Sequence, residues 1–129
     1  MLKSFSIPLT LIASIANSQT NLVLNPSFED TISCPDGIGQ IYKCQNWSSP
    51  SNNTPDYYNS CYVYGPPWFS NADVPDNFVG YQGAKNGNAY VGIAQFNDFT
   101  NLDYVQGKLN TTLVTGNTYY AEFFVSFAD

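Results

Sequence analysis

The sharpest alternation of apolar and polar positions lies in "TYYAEFFVSFAD", where Tyr119, Ala121, Phe123, Val125 and Phe127 fall on one face while Glu122 and Ser126 interrupt the other. That period of two predicts a half-buried strand over residues 118–127. Upstream, "YVQGKLNTTL" sets Val105 and Leu109 against Gln106, Lys108 and Asn110, and "VTGN" supplies turn residues, so residues 104–127 read as an antiparallel hairpin. "NAYVGIAQF" adds a strand over 89–96 with Ala89, Val91 and Ile93 together, entered from the turn-forming "AKNGN". Near the start, "NLVLNPSFED" alternates Leu22 and Leu24 into a core, breaks at Asn25-Pro26, and returns a ring at Phe28, leaving Glu29 at a strand end.

Between residues 30 and 80 the pattern changes. Pro, Gly, Asn, Asp and Ser are dense there, with Trp47, Tyr57, Tyr58, Tyr62, Tyr64, Trp68 and Phe69 scattered among them. The stretch reads as a long, loop-rich excursion with short strands, and a loop of that length in a compact domain is either tied down or functional. Sustained helical periodicity and internal repeats are both missing, so the predicted class is all-β, an antiparallel β-sandwich.

Residues 1–18 read as an export signal: Lys3 is the positive n-region, Phe5 to Ile15 the apolar h-region, and Ala16-Asn17-Ser18 a small-residue cleavage site before Gln19. Pro8 and the shortness of the run argue against a buried helix or a bilayer span. Residues 19–129 then form one domain, secreted or at the cell surface, with no membrane insertion of the mature chain. Its charge is set by three remaining lysines and ten acids, 3 − 10 = −7, with no Arg and no His. Such a surface repels phosphate backbones and anionic headgroups, so nucleic acid is not an expected partner.

Composition also narrows the chemistry. Without histidine there is no Ser-His or Cys-His pair, and no phosphate loop is present. Glu29, Asp98, Asp103 and Glu122 are carboxylates a glycosidase could use, but their presence alone sets no catalytic separation, and the expectation is a non-enzyme. Cys34, Cys44 and Cys61 fit an oxidising compartment with one thiol left over, and without a C-x-x-C pair they make a poor zinc set. The candidate ligand-binding residues are Tyr57, Tyr58, Tyr62, Tyr64 and Trp68, because rings on loops stack on sugar faces while neighbouring Asn and Asp bond the hydroxyls. The competing reading has these rings covering the core or packing under the long loop.

The ordered series "NLVLNPSFED", "SCPDGIGQ", "NWSSP", "TPDYYNSC", "VPDNFVGYQ", "NGNAYVGI" and "LVTGNTYYAEFFVSFAD" resembles a domain of exported Bacteroidetes surface proteins, some with OmpA-like or C-terminal sorting domains. The likeness spans the mature chain. That family is in turn similar to the galactose-binding-like jelly roll of carbohydrate-binding modules. The resemblance implies a jelly roll of about eight strands, of which four are placed above, so the chain is expected to be the N-terminal part of a domain, truncated at its C-terminus and poorly soluble alone. It also implies a Cys34–Cys61 bridge, since "SCP" and "NSC" recur in the family and bound the excursion, with Cys44 the odd thiol. A structural calcium is the one cofactor it brings in, at the positions of Glu29 and Asn88, although the Asp that usually completes such a site has no counterpart before Asp129. Asp30-Thr31-Ile32 is similar to the O-glycosylation motif of such proteins.

The functional expectation is a non-catalytic binding or adhesion module for a polysaccharide or surface glycan. The alternative is a structural spacer that packs with downstream domains of the same polypeptide, with an enzyme third.

Overall fold

The computed structural model describes residues 20–65, 70–95 and 102–128. The expected export signal with its cleavage before Gln19, Asp98 and Trp68 lie outside the described residues. The protein is all-β: among the described residues there is no α-helix, only a 3-10 turn at Ile41–Lys43. Six short strands follow in chain order: β1 (Trp47–Ser48), β2 (Asp56–Asn59), β3 (Asp76–Asn77), β4 (Gly80–Tyr81), β5 (Ala89–Gly92) and β6 (Gln106–Gly107).

All pairing is antiparallel and nested, β1 with β6, β2 with β5 and β3 with β4. The longest ladder sets Tyr57 against Val91 and Tyr58 against Tyr90, and Tyr58 stacks on Tyr90 with ring centroids 4.9 Å apart. The outermost pair is extended by a bridge between Val23 and Leu109, so the opening stretch joins the sheet from the far end of the chain. Glycine is used at two of these crossings. A Cβ at Gly107 would meet the Trp47 ring at 2.7 Å, and one at Gly92 would meet the Tyr58 ring at 2.7 Å, so each glycine admits an aromatic ring across its strand.

The core is small and aromatic. Ile41, Cys44, Tyr57 and Ala89 are buried together, with Phe28, Trp47 and Val91 packed against them. Phe28 and Trp47 have centroids 4.6 Å apart. The stretch expected to be loop-rich therefore supplies much of the core, for a local reason. The 3-10 turn buries Ile41, and Cys44 N–H closes onto the Ile41 carbonyl at 2.9 Å, which drops Cys44 into the interior.

Asn25 holds this region together. Its φ of +52° is a left-handed conformation that Asn tolerates better than most residues. From there Nδ2 donates to the carbonyls of Asp30 (2.9 Å) and Gln45 (2.8 Å) and to Cys44 Sγ (3.3 Å), while Oδ1 accepts from Asp30 N–H (3.0 Å). One buried amide thus satisfies backbone groups of two chain segments. The opening stretch, expected as a strand, makes only the single bridge at Val23 before the chain bends at Asn25-Pro26, and the asparagine side chain supplies the bonds that a ladder there would have made.

Two expectations are corrected. Residues 118–127 form no strand, and residues 111–128 are exposed throughout, Phe127 at 95%. The turn at 114–117 does form, closed by Asn117 N–H to the Val114 carbonyl, with Gly116 at φ +90°. The hairpin beyond it fails because its partner is taken: Lys108 N–H bonds the Asn46 carbonyl, the Lys108 carbonyl accepts from Leu24, and Asn110 N–H bonds the Leu22 carbonyl. The segment instead touches the rest of the chain through side chains, a Ser126 hydroxyl to Gln82 at 2.6 Å and the Lys85 ammonium 4.4 Å above the Phe124 ring.

Candidate functional site

The loop after β2 is fixed from beneath. Asn59, buried at the end of β2, donates from Nδ2 to the Tyr57 hydroxyl at 2.7 Å, and that hydroxyl donates to the Phe28 carbonyl at 2.8 Å. Its Oδ1 accepts from Cys61 N–H at 2.9 Å, and its carbonyl from Tyr62 N–H at 2.9 Å, which turns the chain outward. Cys61 is bridged to Cys34, as the resemblance implied, with Cα atoms 5.5 Å apart and a sequence separation of 27. Closing such a loop is worth about 3 to 4 kcal/mol in the chain-entropy account. Val63 N–H then bonds the Pro35 carbonyl at 2.9 Å, on the other side of the bridge.

On this support stand Tyr62 and Tyr64. Their centroids are 5.6 Å apart and tilted by 56°, with Tyr62 half-buried and Tyr64 exposed at 91%. They are two of the five rings expected to form a platform. Tyr57 and Tyr58 are a correction: they lie on β2, exposed by 0% and 1%, and belong to the core and to the stack on Tyr90. "DYYN" alternates too briefly to announce a strand, and the Pro, Asn and Ser around it read as loop.

Burial marks these two hydroxyls. Desolvation pushes both phenols above their ordinary range, and at Tyr58 the neighbouring Asp56 carboxylate adds to the effect. Asp56 itself accepts from Gly39 N–H (2.6 Å) and from the Tyr58 hydroxyl (3.0 Å). Its carboxyl is raised, first by burial and last by the charge of Asp103. Asp103 accepts from Ala94 N–H at 2.8 Å. Asp56 ties a loop to β2, and Asp103 ties its own loop to the segment that follows β5. Glu122 stands apart from them on the exposed segment 111–128.

Glu29 and Asn88 are brought together across 59 positions of sequence. Glu29 Oε1 accepts from Asn88 N–H at 2.8 Å, and Gly87, at φ +69°, leaves the carboxylate its place, since a Cβ there would overlap it. The Asn88 carbonyl is bonded by Ser60 N–H at 3.1 Å. Calcium prefers six to eight oxygens, and among the described residues no three acidic or thiol side chains converge, so these two already bonded groups do not fit a calcium site. The contact is a staple between the first segment and the entry to β5.

Cys44 is the free thiol, 0% exposed, and burial pushes it up to about 12. The Thr31 hydroxyl donates to the Ser33 carbonyl at 2.6 Å. No protein-family model matches the chain, and neither do curated proteins or solved structures.

Proposed function

We propose that this is an exported, non-catalytic binding module whose ligand is a polysaccharide or surface glycan, bound at Tyr62 and Tyr64. The observation that carries the reading is the pair itself: two rings, one almost fully exposed, presented by a loop fixed by a disulfide, a buried asparagine and two backbone hydrogen bonds. Exposed apolar rings cost less conformational entropy to order on binding when their loop is already rigid. They offer the stacking faces that sugars use. An extracellular address fits the disulfide. The nested antiparallel pairing supports a galactose-binding-like jelly roll, in which a long hairpin winds round the core so that first pairs with last.

The test is a panel of neutral and acidic polysaccharides presented to the purified protein in a pull-down. Retention on at least one, competed by the soluble polymer, supports the module. The alternative is a spacer packed against downstream domains of the same polypeptide, favoured by the exposed apolar run at 119–127. A spacer is retained by none of the panel.

A further inference from the structure

The chain carries four lysines against ten acids, and two of the three among the described residues have a partner. Lys43 is paired with Asp36 at 2.6 Å, and Lys85 sits over Phe124. Lys108 makes no ion pair among the described residues. It lines an open groove of about 470 Å3 along the β1–β6 ladder, together with Asn46, Trp47, Ser48 and Gln106. No carboxylate contributes to that lining. The residues that line this open groove thus carry two amides, a hydroxyl and one ammonium, on a protein whose net charge is −6.

The groove's rigidity comes from both sides. Trp47 and Gly107 are register partners, and the Trp47 ring packs against Phe28 while its indole N–H bonds the Asn25 carbonyl at 2.8 Å. Lys108 N–H bonds the Asn46 carbonyl at 2.9 Å, which locks the two strands at the groove.

We infer that this groove is a second glycan site, separate from Tyr62 and Tyr64, and that it takes a single carboxylate-bearing sugar, a hexuronate, within an otherwise neutral chain. Amides and a hydroxyl both donate and accept, as vicinal sugar hydroxyls require. The ammonium supplies the one charge complement for a carboxylate. A single cation without a nest of backbone N–H groups is a poor match for phosphate, which draws on several donors. A polyuronate is disfavoured as well, because its further charges find no second cation in the lining and meet a protein of net charge −6.

The test uses the whole chain and two probes: a neutral oligosaccharide ending in glucuronate, and the same molecule with that carboxyl reduced to the hexose. Titration calorimetry is expected to give about tenfold weaker binding for the reduced probe, the scale of one charge-assisted contact. Lys108→Gln removes the difference between the probes, Gln106→Ala weakens both, and neither shifts the melting temperature. Tyr64→Ala leaves the preference for the glucuronate intact, which separates this site from the loop pair. Equal affinity for the two probes, a preference that survives Lys108→Gln, or no binding of the glucuronate probe overturns the inference. Loss of the preference in Tyr64→Ala places the acid at the loop and overturns it too.

Discussion

The indole N–H of Trp47 donates to the main-chain carbonyl of Asn25 at 2.8 Å, joining a strand of the β1–β6 ladder to the bend that ends the opening stretch. Asn25 is the shared point of the ladder, the core thiol and the 30–45 loop. Replacing it tests whether the small core depends on this side chain. Asn25→Ala removes the amide and keeps a Cβ in the left-handed region without the side-chain bonds that offset its strain, at an expected cost of about 2 to 4 kcal/mol. Asn25→Gly relieves the backbone and should cost less than Ala. Chemical denaturation of the two variants checks the order, and equal losses would show that the backbone conformation contributes nothing.

Gly107→Ala sets a methyl against the Trp47 ring at 2.7 Å. The ring must move off Phe28 or the strand must shift, for an expected loss of about 1 to 3 kcal/mol. The Trp47 emission should move to longer wavelength as its packing loosens. An unchanged spectrum with unchanged stability contradicts the ladder's register.

Cys44 should resist thiol reagents in the native protein, since it is buried and its pKa is pushed up to about 12. The sign of the linkage follows. The thiol ionises near its ordinary 9 when unfolded but not when folded, so its contribution is complete below pH 9 and is lost as pH rises from 9 towards 12. Tyr57 and Tyr58, both raised by burial, act in the same direction. Cys44→Ala should flatten part of the alkaline loss of stability, and rapid labelling of Cys44 by a thiol reagent at pH 8 would contradict its burial.

Asp56 behaves similarly at acid pH. Its folded carboxyl is raised above 3.8, so the folded state holds the proton more tightly. The resulting stabilisation is present below the ordinary value and is lost as pH rises through the raised one. Asp56→Asn can still accept from Gly39 N–H and meet the Tyr58 hydroxyl. The difference between wild type and variant should change with pH only in that window, and a flat difference from pH 3 to 6 contradicts the assignment.

The class was legible because short strands and turn residues follow local rules. Gly116 turns where "VTGN" predicts it, Ala89–Gly92 is a strand as "NAYVGI" predicts, and Asn25-Pro26 ends the first segment. Partner choice was not legible. The alternating run 118–127 has the strongest strand pattern in the chain, yet the ladder groups of residues 108–110 are spent on residues 22–24 and 46. Tyr57 and Tyr58 were hidden for the opposite reason, a core strand only four residues long set in turn-rich sequence. Nothing local distinguishes their rings from Tyr62 and Tyr64. What separates Tyr57 from Tyr62 is Asn59, whose side chain bonds the Tyr57 hydroxyl and the Cys61 N–H while its main-chain carbonyl accepts from Tyr62 N–H and turns the chain.

The central claim is that Tyr62 and Tyr64 are a binding surface rather than ornament on a spacer, and affinity electrophoresis tests it most directly. The protein and its Tyr64→Ala variant are run through gels carrying the polysaccharide that retains the wild type, with melting temperatures measured alongside. The account predicts that wild type is retarded and that the variant, equally stable, loses at least about tenfold in affinity, in keeping with an aromatic stacking contact of about 1.4 kcal/mol or more. Equal retardation of the two proteins would contradict it.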